Sequence, residues 1–406
     1  MKAMVSDDSC SDSPQDEIPN FFSPEVAGCP HATYRRMIDE IPVLRMSGTN
    51  VPVISRYEDV MFCLRNPAIF SSDMAEQMSL GTDRPMIPQQ IDPPAQTRYR
   101  KILDPRFSRK RMIEFEPALR ASANQLLDSF SGDNGCDFSQ QYAVPLPCQA
   151  FLHLFGLPVS DLSLLIELKD GIIRPQVQAK NPLDETEVGA IRASTGKRIY
   201  AYFEDLIKDS KKSSRDDLMG YLLNVELDGE KLSHNEILDI SFLFILAGLD
   251  TVTATISCCI AYLAANSNHR EKIAQSPETL EAAIEELLRW ETPVAVIPRL
   301  VKQDIEIADI PIKKDEMVML LLGAANIDPA EFEGADEVRF DRSRNRHIAF
   351  GAGAHRCLGS HLARMELRVG LEEWHRRIPN YRIRDAEVPV YSPGIRDIQF
   401  LPLVWS

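Results

Sequence analysis

The sequence predicts a mainly α-helical protein with small β-sheets. Helical spacing of apolar residues dominates the 406-residue chain, as in 198–207 and 278–290. Short runs of strand length, which alternate or are apolar throughout, occur at 51–54, 305–307 and 317–322. Apolar residues make up 44% of the chain, so the predicted helices carry enough apolar surface for a large core.

Composition excludes several classes of protein. Residues 1–18 are rich in Ser and Asp without an apolar stretch, so we expect a disordered tail rather than a signal peptide or membrane anchor. The eight cysteines form no Cys-x-x-Cys pair, which argues against a disulfide framework or zinc site and for a reducing, cytoplasmic compartment. A net charge of −15 argues against general nucleic-acid binding.

A basic helix is predicted after Asp92-Pro93-Pro94, because two prolines fix its entry. Residues 98–111 contain seven Lys or Arg and one acid, Asp104. Taken alone, this segment is either a solvated basic face or a site for anionic groups.

The longest predicted helix begins at Ser233, whose spacing to Glu236 fits a capping box, and runs to about Asn266. It is apolar on nearly all sides, so it is either buried or membrane-spanning. An acid in its middle, Asp250, and the lack of basic flanks favour burial. The neighbouring Thr251 can return its hydroxyl to a carbonyl one turn back and loosen the helix there. A polar kink in a core helix is the alternative to a proton-handling site.

Two further segments follow in order. Glu286 and Arg289 share one face of a helix that we expect to start at Ser276-Pro277, although Glu-x-x-Arg alone has little specificity. Prolines at both ends of 293–298 favour an extended strand, which leads into Arg299.

The most specific stretch is 350–359, Phe-Gly-Ala-Gly-Ala-His-Arg-Cys-Leu-Gly. Gly351 and Gly353 permit backbone angles that other residues rarely adopt, so the chain can turn tightly before Cys357. A helix is predicted directly afterwards, and its positive end favours the thiolate of Cys357. A single thiolate on a stiff loop suits an axial ligand of haem iron; a buried free cysteine is the alternative.

This ten-residue pattern resembles the haem-binding signature of the cytochrome P450 superfamily, the haem-thiolate monooxygenases. The other motifs follow in the family's order between residues 22 and 405. The resemblance implies the cytochrome P450 fold, a triangular prism of helices around a buried haem b, with 19–406 as a single domain. Without an anchor, the chain is similar to the soluble bacterial members.

The resemblance also implies roles for individual residues. Cys357 would ligate the iron, and the haem propionates would be bound by Gln96, Arg100, Arg299 and His355. Many members carry His at the position of Gln96. Over the distal face of the haem, Thr251 would hydrogen-bond the dioxygen being activated and Asp250 would deliver protons through water. Glu286 and Arg289, with Arg342, would form a structural cluster.

The substrate pocket is expected to be lined by apolar side chains, which predicts a lipophilic small molecule such as a terpenoid, steroid, fatty acid or aromatic. By analogy with the family, these are Ile87, Leu243, Leu246, Ala247, Val294, Val296, Ile297 and Ile395.

The expected activity is that of an oxidoreductase that hydroxylates an unactivated C–H bond with O₂. Basic residues around the Cys357 loop would steer an acidic ferredoxin, itself reduced by a ferredoxin reductase. Two rivals stay open: a relative in the same fold that uses peroxide or reduces nitric oxide, and a non-catalytic haem carrier or sensor. Retention of both Asp250 and Thr251 argues for O₂ activation, because peroxide use needs no proton relay.

Overall fold

Helices dominate the computed structural model, which describes residues 23–210, 216–392 and 394–405. The tail predicted at 1–18 lies outside these residues. The α-helices are α1 (Pro24–Gly28), α2 (His31–Glu40), α3 (Tyr57–Arg65), α4 (Ala95–Leu103), α5 (Arg109–Asp128), α6 (Pro145–Phe155), α7 (Leu162–Ile173), α8 (Glu185–Ser210), α9 (Leu218–Asn224), α10 (His234–Leu249), α11 (Thr251–Ala265), α12 (Ser267–Gln275), α13 (Leu280–Glu291), α14 (Leu322–Ala325) and α15 (Ser360–Arg377).

The strands are short and form small sheets, as predicted. They are β1 (Val43–Arg45), β2 (Pro52–Ile54), β3 (Phe70–Ser71), β4 (Gly135–Asp137), β5 (Glu226–Leu227), β6 (Glu230–Lys231), β7 (Val296–Val301), β8 (Ile305–Ile307), β9 (Ile310–Ile312), β10 (Met317–Leu321), β11 (Arg382–Ile383) and β12 (Pro402–Val404). The largest sheet has the order β1-β2-β10-β7-β3, and only its β2–β10 pair is parallel. A three-stranded sheet has the order β11-β12-β4.

The long apolar helix forms as two segments, α10 and α11, with Asp250 between them. Ser233 and Glu236 make the predicted capping box: the Ser233 hydroxyl accepts from the Glu236 N–H, and the Glu236 carboxylate accepts from the Ser233 N–H. By length and composition 234–265 could cross a membrane, but 78% of its most apolar stretch is buried inside the protein. The helix is therefore a core element, as the sequence predicted.

Two predicted boundaries were displaced. The helix expected to start at Ser276-Pro277 begins at Leu280, after a 3₁₀ turn at Pro277–Thr279. The extended segment expected from Pro293 becomes a strand only at Val296, because Thr292 still caps α13 in a left-handed conformation with φ of 33°. The segment between them approaches the carboxyl-terminal turn through a bridge between Val294 and Ile395.

Candidate active site

A cavity of about 440 Å³ lies between the α10–α11 break and the 350–359 loop. Its walls come from α10, α11, α15, β7 and the loop that precedes α4. Cys357 and Thr251 both line this cavity, so the two most specific sequence motifs meet in one site.

The loop that carries Cys357 is held by its glycines. Gly351 and Gly353 have φ of 65° and 68°, the left-handed region predicted for them. A Cβ on Gly353 would overlap the Leu64 carbonyl at the end of α3. The Cys357 N–H donates to the Phe350 carbonyl at 2.8 Å and closes the loop.

The Cys357 thiol faces two opposing influences. Burial raises its pKa, whereas the Gly359 N–H and the charges of Arg100 and Arg356 lower it. Because the Cys357 side chain is exposed to the cavity, the thiolate predicted from the sequence stays a prediction. A bound metal would favour it, because a coordinating thiol loses its proton. Within the described residues, no group of three or more His, Cys, Asp and Glu side chains could hold a metal.

One end of the cavity is polar and buried. The side chain of Arg299 is mostly buried, and this burial lowers its pKa to about 10. His355 lies beside it, and its buried Nε2 has no hydrogen-bond partner in the described part of the chain. Both residues line the cavity. A buried cation and an unsatisfied ring nitrogen suit carboxylates, so this end fits the propionates of a haem.

The other two residues predicted at the propionates brace the loop. Arg100 donates to the Arg356 carbonyl at 2.8 Å and pairs with Asp104 at 2.8 Å. The Gln96 amide nitrogen donates to the Ala354 carbonyl at 2.6 Å. Both side chains also line the cavity, and their contact with a propionate stays a prediction.

The helix break forms as the sequence predicted. Thr251 Oγ1 donates to the Ala247 carbonyl at 3.0 Å, one turn back. Its hydroxyl therefore sits at the cavity wall where the backbone of the long helix is interrupted at Asp250.

Asp250 itself is fully buried behind that wall rather than exposed to the cavity. Its carboxylate accepts from Arg174 at 2.6 and 3.0 Å and from Lys169 at 3.0 Å. Burial favours the neutral acid, but these two cations hold the pKa of Asp250 below its usual value. Arg174 also pairs with Asp397 at 3.1 Å.

Sequence reasoning missed these partners of Asp250. Lys169 and Asp170 interrupt the otherwise apolar end of α7, and that signal could have indicated a buried ionic cluster. It also missed Glu366 on α15, which lines the cavity while only 2% of its surface is exposed. Burial raises the pKa of Glu366 well above its usual value.

The structure brings Glu286, Arg289 and Arg342 together. Glu286 is buried and accepts from Arg289 at 2.8 and 2.9 Å and from Arg342 at 3.0 and 3.2 Å. Its oxygens also accept from the Arg339 N–H and from the Asn345 amide, which sequence reasoning did not include. The cluster ties α13 to the segment that leads to Cys357.

The predicted pocket residues divide into two groups. Six line the cavity: Leu243, Leu246, Ala247, Val294, Ile297 and Ile395. Ile87 does not, because it packs into the core while its neighbours Met86 and Pro88 reach the cavity. Val296 does not either, since alternation along β7 turns it toward the other face, against Tyr34 and Leu321.

Comparison with known proteins found several relatives of similar sequence. The cytochrome P450 family model matches residues 186–377. A probable cytochrome P450 from Sinorhizobium fredii is 33% identical over 95% of this chain and 93% of its own length. A steroid C26-monooxygenase from Mycolicibacterium smegmatis is 30% identical, over 92% of each chain. A mycinamicin IV hydroxylase/epoxidase from Micromonospora griseorubida is also 30% identical, over 92% of this chain and 94% of its own.

Solved structures show the same fold. A bacillaene polyketide synthase cytochrome P450 from Bacillus subtilis superimposes with a TM-score of 0.86, at 28% identity, over 95% of this chain and all of its own. A Bacillus megaterium enzyme in complex with testosterone gives 0.85, at 28% identity, over 94% of this chain and 99% of its own. The chain therefore belongs to the cytochrome P450 family of monooxygenases, whose cofactor is haem b.

Proposed function

We propose that this enzyme hydroxylates a lipophilic small molecule with O₂ and electrons from a ferredoxin. In the balanced reaction, R–H, O₂, two electrons and two protons give R–OH and water. The observation that carries this proposal is the Thr251 hydroxyl at the helix break, in the same cavity as Cys357. Bound haem would supply dioxygen activation at an iron ligated by the Cys357 sulfur.

Residues of the chain would bind the haem, donate a hydrogen bond at the reacting oxygen and transfer protons. Arg299 and His355, with Arg100 and Gln96 beside the loop, would hold the haem carboxylates and fix its orientation. Thr251 would donate a hydrogen bond at the reacting oxygen. Asp250 lies next to it and would pass protons through water. Lys169 and Arg174 keep it ionised, so Asp250 would have to move away from these cations to accept a proton.

Apolar walls support a lipophilic substrate. Leu243, Leu246 and Ala247 line the cavity from α10, and Phe151 and Leu154 line it from α6. Such walls bind by burying apolar surface and offer few hydrogen bonds. The relatives named as a steroid monooxygenase and as a mycinamicin hydroxylase are consistent with a terpenoid, steroid, fatty acid or aromatic substrate.

The test of the proposed chemistry replaces Thr251 with Val, which keeps the shape and removes the hydroxyl. We expect electrons to be consumed with little product, so that peroxide or water accumulates instead. The matched control is Thr253→Val on the same helix, whose hydroxyl bonds to Ala143 and Leu249 away from the cavity. Full coupling of electrons to product in Thr251→Val would contradict the proposal. Product formed from hydrogen peroxide but not from O₂ and electrons would favour the peroxide-using alternative.

Ferredoxin docking is supported by the basic residues near the loop. Arg111 is paired with Glu114 and Arg364 with Glu285. Arg109 is exposed, and within the described residues it forms no ion pair. An acidic partner would therefore meet an uncompensated charge at Arg109.

Charge reversal tests this docking. Arg109→Glu should slow reduction by an acidic ferredoxin more than Arg111→Glu does, and the difference should shrink at high salt. Lys180→Glu, in the loop between α7 and α8, is the control and should leave the rate unchanged. Equal reduction rates in all three variants would exclude this surface.

The free buried thiols at positions 63, 136, 148, 258 and 259 suit a reducing, cytoplasmic location.

A further inference from the structure

The loop before α4 forms one wall of the cavity and is held from outside. We call residues 72–94 the wall loop; Leu80, Met86, Pro88 and Gln89 from this loop line the cavity. It contains no helix or strand, so its position depends on contacts with other elements. Polar contacts of Thr82 and Arg84 join it to α8 and α10.

Asp239 on α10 is the centre of those contacts. Only 5% of its surface is exposed. Arg84 of the wall loop pairs with both of its oxygens, through Nε at 2.7 Å and Nη2 at 2.9 Å. The Tyr200 hydroxyl of α8 donates to the same carboxylate at 3.0 Å. One buried carboxylate thus joins three separate segments of the chain.

The contacts around this carboxylate are continuous. Tyr200 and the Thr82 hydroxyl are 3.2 Å apart, and the Arg84 N–H donates to Thr82 at 3.0 Å. The Arg84 guanidinium also lies over the Tyr200 ring, 5.1 Å from its centre. We call Thr82, Arg84, Tyr200 and Asp239 the latch.

Backbone packing beside the latch is equally close. A Cβ on Gly196 of α8 would overlap the Gly81 carbonyl of the wall loop. Gly81 itself has φ of 81°, so it turns the loop directly on the surface of α8. The wall loop is therefore seated on α8 and fixed there by the latch.

The latch lies in line with the cavity. Asp239 precedes Leu243 by four residues and Ala247 by eight, so the three share one face of α10. Leu243 and Ala247 line the cavity, and Asp239 is one turn beyond Leu243. Opening the wall loop away from α8 and α10 would require Arg84 to leave Asp239 and Asn235, and Thr82 to leave Tyr200.

We propose that Asp239 is a positioning residue that holds the wall loop closed over the cavity and thereby controls ligand entry and exit. The inference rests on the proposed function in that the cavity must admit a ligand. It assigns control of ligand exchange to Asp239, which is not among the residues that line the cavity. Bidentate ion pairing suits this role, because it is specific in geometry and breaks as a unit.

The test measures binding of 4-phenylimidazole to the haem-loaded enzyme by the shift in its visible absorption after rapid mixing. In Asp239→Asn both the association and the dissociation rate constants should rise about tenfold, since a charged hydrogen-bond pair is lost. Tyr200→Phe keeps the stacking on Phe242 and should raise both rates by a smaller factor. Hydrogen exchange of residues 79–90 should increase in both variants.

The control is Glu167→Gln, which removes an exposed pair with Arg198 of α8 at 2.7 Å and should leave rates and exchange unchanged. Rate constants within about twofold of the parent in haem-loaded Asp239→Asn, with unchanged exchange, would overturn the latch. If Asp239→Asn does not bind haem, the same criteria are applied to Tyr200→Phe to test the latch. If the parent enzyme shows no absorption shift, the proposed function is contradicted instead. Hydrogen exchange of residues 79–90 in the variants would then still test whether the latch holds the wall loop.

Discussion

Glu286 and Asp250 are both buried carboxylates held by two cationic side chains, but the backbone around them differs. Glu286 lies within α13 and also accepts from the Arg339 N–H, so its cluster closes on main chain as well as side chains. Asp250 lies at the break between α10 and α11, and its cations come from α7 and the residue that follows it.

The difference concerns what each cluster can do. The Glu286 cluster fastens α13 to the segment before the Cys357 loop, and no member of it lines the cavity within the described residues. The Asp250 cluster adjoins Thr251, which does line it. Similar charges therefore stabilise the backbone in one place and, in the proposed function, support a proton-handling position in the other.

The largest expected effect is the loss of stability on substitution of Glu286. Glu286→Gln leaves two buried arginines without their anion and should lower the free energy of unfolding by ~3–5 kcal/mol. Chemical denaturation of the haem-loaded enzyme measures this loss. Glu281→Gln, at an exposed position of the same helix, is the control and should change little. If both variants lost a similarly small amount of unfolding free energy, Glu286 would not have the structural role inferred for it.

Asp250→Asn should act mainly on turnover. Loss of the proposed general acid–base role predicts a fall in product formation of about a hundredfold. Stability should fall less than in Glu286→Gln, because Arg174 keeps Asp170 at 2.9 Å and Asp397 at 3.1 Å. Asp170→Asn, which alters the same cluster away from Thr251, should retain turnover. A loss of stability without loss of turnover in Asp250→Asn would make the two clusters equivalent.

The smallest effect is a pH dependence at Asp397. Burial, with the nearby charge of Asp250, raises the pKa of Asp397 from 3.8 to about 6. The folded protein then binds this proton more tightly than the unfolded chain, so the residue's contribution to stability falls as pH rises from about 4 to 6. The slope reaches at most ~1.4 kcal/mol per pH unit. The difference in unfolding free energy between parent and Asp397→Asn should follow this slope, and a constant difference would contradict it.

Local chemistry made much of the fold and site predictable. The capping box at Ser233, the helix break at Thr251 and the glycine turn before Cys357 each depend on residues within one or two turns. The overall order of motifs indicated the family, and the comparisons confirmed it. The single domain expected for 19–406 and the catalytic roles of the site residues stay predictions.

Long-range partners could not be read from local pattern. Lys169 and Arg174 reach Asp250 across 76–81 residues of sequence, and Arg84 reaches Asp239 across 155. Nothing in spacing or periodicity indicates which distant charges meet. The misplaced Val296 shows a related limit: alternation places neighbours on opposite faces of a strand, but which face meets the cavity depends on the β10 and β3 partners.

Gly353 packs directly against the Leu64 carbonyl, and this contact has a consequence for engineering the enzyme. Libraries that seek new substrates can vary Leu80, Met86 and Leu154, because these side chains end in the cavity and leave the main chain in place. A side chain at position 353 would instead displace α3 and shift the sulfur relative to every other group in the site. Directed evolution of this scaffold should therefore vary the apolar wall freely and leave the glycine turn unchanged.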